Sequence, residues 1–249
     1  MFDSRAKEAF EKLNLTYPAV AVKFCRNRPK GFPQVEGSDK LCLYLLKCQK
    51  ENTAFCVAAE NECCMGSYAL GFRPLDDFHG SGEVGFRTGA FRTAAANSHL
   101  YYEAPTLKTG VTNFVVFCPV SKCSFDPDLI ICVTETSTAQ VLLRASSYRS
   151  GDIWESKCSY VMSCAWTYAY PYLSGKVNHL FTGMHLGLKM FGDYPAGLHI
   201  ISIPYQKIDE MVDSLCEMEW DPGSSEDAMR KVFETMDLMK SDINYPMDI

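Results

Sequence analysis

The chain contains no apolar run approaching the ~20 residues that a membrane-spanning helix needs, so it is expected to stay out of the bilayer. It has no Cys-x2-Cys spacing, which removes the signature of zinc ribbons and ferredoxins. CPVSKC at Cys118–Cys123 sets four residues between its cysteines but lacks the rest of a ferredoxin pattern. The five histidines, His79, His99, His179, His185 and His199, form no His-x-x-x-His pair, so a histidine-based zinc hydrolase is not expected. No Gly-x-Ser-x-Gly elbow supports a hydrolase triad. Basic residues are also short: 24 Lys and Arg against 30 Asp and Glu give a net charge of −6, which argues against a nucleic-acid surface.

Cysteine, by contrast, is abundant, with twelve in 249 residues. The N-terminal MFDSRAKEAFEKLNL reads as an amphipathic helix rather than a leader, and thiols without a secretion signal point to a reducing, cytoplasmic setting. There they stay free, ligate metal or do chemistry. So many oxidisable side chains also hint at an anaerobic host.

Periodicity predicts a first helix over Ser4–Leu13, buried strands at Ala19–Cys25, Thr53–Ala58, Asn113–Cys118 and Leu129–Thr134, and helices over Asp39–Gln49 and Ala139–Tyr148. A further helix opens near Cys63–Cys64 and ends at Gly71, another runs through Phe91–His99, and GSGEVGFRTG at Gly80–Gly89 reads as a tight-turn loop. That glycine-rich stretch lacks the Lys-Ser/Thr ending of a P-loop, although Arg87 and Arg92 beside it could hold an anion.

The same order of elements recurs along the chain. ECCMGSYALG and MSCAWTYAYP set Cys64, Tyr68 and Ala69 opposite Cys164, Tyr168 and Ala169, each pair 100 positions apart. LLKCQ at Leu45–Gln49 parallels LLRAS in the Ala139–Tyr148 helix. VVFCPVSK parallels IISIPYQK, and each of these strands stops at a proline, Pro119 or Pro204, because proline cannot continue a central ladder. The implied fold is α/β, with α+β as the variant: two pseudo-repeated mixed-sheet modules packed together, plus a C-terminal helix. The segments are an N-terminal helix at 1–16, a first module at 17–125, a second at 126–215, and a C-terminal helix and tail at 216–249. Ser224, Ser225, Glu226 and Asp227 cap that last helix, and Met229, Val232, Phe233, Met236 and Met239 line one face of it as far as Lys240. The face either covers the core or forms a homo-oligomer contact.

From Tyr17 to Leu215 the chain resembles an uncharacterised prokaryotic family filed as domain of unknown function 169. The resemblance rests on PAVAVKF, on Cys42 followed by a helix, and on Cys-x-Gly-x-x-x-Leu-Gly at Cys64, Gly66, Leu70 and Gly71. It continues through Cys164-Ala165 leading to Tyr170-Pro171, Gly175 and Asn178, and ends on IPYQKIDEMVDSL. Near Gly183 the chain departs: the family pattern carries a Cys before the glycine and an Arg after it, whereas this sequence reads Phe181-Thr182-Gly183-Met184-His185. The resemblance supports fold and boundaries and supplies no activity.

Cys64 and Cys164 fall at predicted first turns of helices, after Asn61 and Ser163 as caps. Free N–H groups and the positive end of the helix dipole there favour a thiolate, and so metal ligation or nucleophilic attack. Most of the other cysteines read as small buried hydrophobes. A cluster held by distant residues, Cys42, Cys64 and Cys164, would leave one iron open to a ligand. The leading expectation is therefore an iron-sulfur cluster or other thiolate-held metal between the modules, serving anaerobic redox or cofactor metabolism. Cys64, Cys164, Tyr68 and Tyr168 would line the cofactor site, and Cys42, Cys64 and Cys164 would hold the metal. A second reading is a non-enzymatic small-molecule binding module whose interdomain cleft is lined by Tyr68, Tyr168, Tyr170 and Trp166. A third, a thiol enzyme using Cys64 or Cys164, needs a base, and no histidine is near in sequence.

Overall fold

Asp3 accepts a hydrogen bond from the Ala6 backbone N–H at 2.8 Å and so starts helix α1 (Ser4–Lys12), which buries Ala6, Ala9 and Phe10. The structure is a computed structural model that describes residues 2–192, 194–221 and 226–242. After α1 come β1 (Tyr17–Cys25), α2 (Leu41–Glu51), β2 (Phe55–Ala58) and the short helices α3 (Gly66–Ala69), α4 (Asp77–Gly80) and α5 (Glu83–Arg87). Helix α6 (Ala94–Glu103) leads to β3 (Phe114–Pro119), β4 (Leu129–Thr134) and α7 (Thr136–Ala145). A π-helical turn at Ala165–Ala169 runs into α8 (Tyr170–Ser174), then come β5 (Asn178–Phe181), α9 (Leu186–Phe191), β6 (His199–Pro204), α10 (Tyr205–Glu217) and α11 (Glu226–Asp242).

The chain divides into two compact units, Met1–Cys216 and Glu217–Ile249. All six strands lie in the first and form one sheet in the order β2-β3-β1-β4-β6-β5, with every neighbouring pair antiparallel. The class is thus mixed helix and strand, as the sequence implies, but both halves of the chain share a single antiparallel sheet instead of building two mixed sheets. Asp128 fastens the central β1/β4 pair. Its carboxylate accepts from the Phe24 N–H at 2.7 Å and the Lys23 Nζ at 3.0 Å, and its N–H donates to the Val22 carbonyl at 2.8 Å.

Strand alternation sends Val20, Val22, Phe117, Leu129, Ile131 and Ile200 to one face, where they pack with Leu41, Leu45, Tyr168, Leu180 and Leu188. Cys56, Cys118 and Cys132 alternate with those residues and point to the other face. That side carries α1, α7 and α10; Arg5 of α1 and Arg149, beyond the end of α7, both reach Asp213 of α10, at 2.5 and 3.7 Å. Helices α2 and α7, paired by sequence, therefore lie on opposite faces. LLRAS and LLKCQ are alike because both are amphipathic, not because they occupy one structural position.

The stretch Gly80–Gly89, expected as a loop, forms the C-terminus of α4 and all of α5. Gly82 between them has φ of +76°, and a Cβ there would stand 2.0 Å from the Ala94 carbonyl oxygen, so both conformation and space demand glycine. In the second unit, Met229, Val232, Phe233, Met236 and Met239 of α11 are exposed. The caps read at Ser224 and Ser225 lie outside the described residues.

Candidate functional site

On the face that carries α2 and the π-turn helix, a cavity of about 220 Å³ opens between the start of α2, the Glu62–Gly66 loop, Tyr101 of α6, the Val161–Cys164 segment and α9. Cys42, Cys64 and Cys164 all line it, together with Glu62 and His185. Its remaining wall is largely apolar: Met65, Val161, Met162, Leu186, Met190 and Phe191. Lys40 stands at the rim, with Nζ 4.0 Å from the centre of the Phe191 ring.

Cys42 sits in the first turn of the 11-residue α2 and is 2% exposed. It shares a hydrogen bond with the Cys164 thiol, which draws its own thiol down to about 5. Burial opposes that shift, while the His185 ring adds a hydrogen bond and an electrostatic pull in the same direction. Cys164 moves the other way, well above the usual thiol range, because it donates to Cys42 and is itself desolvated. The two thiols titrate as a pair, with Cys42 drawn down and Cys164 pushed up by their contact. His185 is 4% exposed. Its Nε2 lies 3.8 Å from Cys164 Sγ, and its Nδ1 is buried on the cavity wall without a hydrogen-bond partner.

Glu62 organises the opposite side. Its carboxylate accepts from the backbone N–H of Leu41 at 3.2 Å, Cys64 at 2.9 Å and Ser67 at 2.7 Å, and from the Ser67 hydroxyl. One buried carboxylate therefore fixes both the start of α2 and the Cys64 loop. Burial pushes the Glu62 carboxyl up and the Cys64 thiol up as well. Cys64 precedes the four-residue α3 by two positions, so it lacks the long helix that would stabilise a thiolate there. Its expected cap, Asn61, serves elsewhere, donating to the Val35 and Gly37 carbonyls. Ser163, the expected cap for Cys164, donates to the Met184 carbonyl at 3.0 Å.

The sheet also changes which residues are counterparts. Read inward from either edge, each half contributes its second, third and first strand in turn. Cys64 follows the second strand of its half, β2, whereas Cys164 precedes β5, the second strand of the other half. The position matching Cys164 is Cys42, each in the helix that runs into that second strand. Likewise Glu62 and His185 each directly follow the 3-10 turn after it, Ala59–Asn61 or Thr182–Met184. The equal spacing of Cys64 and Cys164 in sequence is not structural equivalence, although both reach the cavity.

Tyr168 is fully buried in the core with its hydroxyl unpartnered, and Tyr68 is half-buried; neither lines the cavity. Among the described residues no three His, Cys, Asp or Glu side chains are arranged to hold a metal ion. No described helix is long and apolar enough to cross a membrane.

Residues 10–214 match the model of the family described as Uncharacterised ArCR, domain of unknown function 169 (DUF169). The chain belongs to this family. Every residue lining the cavity, from Lys40 to Phe191, falls within the DUF169 match. No curated protein and no solved structure matches the chain.

Sequence reasoning named the three thiols but not His185 or Glu62. His185 ends the segment where the sequence departs from the family pattern, and Glu62 immediately precedes Cys63-Cys64. Those were the available signals. Their proximity to the thiols is a product of the sheet.

Proposed function

We propose that the chain holds a metal centre through thiolates in the cavity lined by Cys42, Cys64 and Cys164, an iron-sulfur cluster or another thiolate-held ion, in redox or cofactor chemistry. One observation carries the reading: three cysteines from separate stretches of sequence line one cavity, with His185 beside Cys164. The lowered Cys42 thiol supports it, since the thiolate and not the thiol is the ligand. A reducing cytoplasm of an anaerobe suits the chemistry, because all twelve cysteines are unpaired.

The test is anaerobic purification followed by iron, zinc, copper and sulfide analysis with a visible spectrum. Metal that is lost from Cys42→Ala supports the reading. A fully folded, metal-free chain contradicts it.

The largely apolar wall favours a second reading, a small organic ligand seated against Met65, Met162, Leu186 and Phe191. That ligand would survive Cys42→Ala and would co-purify without metal.

A further inference from the structure

The geometry points to a soft monovalent cation of the copper(I) class, bound in two-coordinate fashion between Cys42 and Cys164. This inference rests on the thiolate-held metal reading and names its ion.

Donor number comes first. Cys42 and Cys164 are structural counterparts, each in the helix entering the second strand of its half, and both line one cavity. Two like donors brought together from matching helices suit an ion that is satisfied by two opposed ligands. Structural zinc takes four ligands and iron-sulfur clusters are held by four cysteines, yet no three His, Cys, Asp or Glu groups converge among the described residues. Monovalent copper and silver bind two thiolates stably with nothing further.

Softness and charge agree with that count. The side chains of Met65, Met162 and Met190 line the same cavity, so its wall is rich in polarisable sulfur, the surface that selects copper(I) over hard cations. Carrying a single charge into a largely apolar pocket costs far less than carrying two. Access points the same way: Cys42 is only 2% exposed, which admits a bare ion more readily than a bulky electrophile.

His185 completes the site without being a required ligand. Its Nε2 lies 3.8 Å from Cys164 Sγ, and its buried, unpartnered Nδ1 leaves a donor or acceptor unused at the cavity wall. Binding is ligand exchange. Two sulfur–metal bonds form, each S–H bond on the two coordinating thiols breaks, and every proton so released passes to solvent; no electron is transferred.

The full chain, reduced and stripped of metal without oxygen, is titrated with copper(I) against a bathocuproine chelator. The expected result is a single copper ion retained per chain, displaced by silver(I), with two sulfur neighbours by X-ray absorption. Cys42→Ala and Cys164→Ala should each weaken binding by roughly 100-fold or more, while Cys63→Ala and Cys158→Ala at the exposed thiols leave it unchanged. Should Cys42→Ala fail to fold, Gly187→Ala keeps every thiol but crowds Cys42 Sγ, and it should also weaken binding. Copper(I) affinity in Cys42→Ala and Cys164→Ala equal to that of wild type overturns the proposal. Zinc or a cluster that copper(I) cannot displace from Cys42 also overturns it but leaves the thiolate-metal reading standing, whereas absence of any metal at these cysteines removes both.

Discussion

Cys42 and Cys164 occupy corresponding helices in the two halves of one sheet, and their interaction draws the Cys42 thiol down while pushing the Cys164 thiol up. The pair is close-packed from behind: a Cβ added at Gly187 would stand 2.7 Å from Cys42 Sγ. Gly187→Ala should therefore push the thiol out of place while the chain still folds, at a cost of about 1–3 kcal/mol. Urea unfolding reads the stability and metal uptake reads the site. Unchanged uptake would mean that the position of Cys42 does not govern binding.

Glu62 binds the start of α2 to the Cys64 loop through three backbone N–H groups and one hydroxyl. Glu62→Ala strands those buried donors and should cost about 3 kcal/mol in urea unfolding. Glu62→Gln keeps one acceptor oxygen and should lose less. Equal stability of Glu62→Ala and wild type would remove Glu62 as the organiser of this wall.

His179 and His199 meet at 2.7 Å across β5 and β6, with rings stacked at 4.9 Å. Burial lowers both below the usual histidine range, and His199 lowers His179 further. The unfolded chain then binds protons first as pH falls, so the stability these histidines contribute is present above about pH 6.5 and is lost as pH falls through their folded values. Melting temperature measured from about pH 7.5 down to about pH 5.5 should fall more in wild type than in the His179→Gln/His199→Gln double variant. Identical falls would contradict the paired-histidine account.

The sheet was legible where burial on both faces leaves a continuous apolar run. Leu129–Thr134 is read with the bounds it has in the structure, and the breaks at Pro119 and Pro204 are where β3 and β6 end. The four-residue β5, Asn178–Phe181, carries too little pattern to stand out and went unread. The three thiols were legible as residue types, but the pairing of Cys64 with Cys164 followed sequence spacing. Topology, which spacing cannot carry, pairs Cys42 with Cys164. For the same reason His185, far from the thiols in sequence, is seen beside Cys164 only once the fold brings α9 against α2.

Thiolate absorbance of the metal-free chain, followed against pH, tests the thiolate centre most directly. It should rise with a midpoint near 5, contributed by Cys42, because the group is ionised above that value. The rise should vanish in Cys42→Ala and move to higher pH in Cys164→Ala, where the stabilising interaction is gone. A wild-type chain whose thiolate absorbance grows only above about pH 8 would contradict the account.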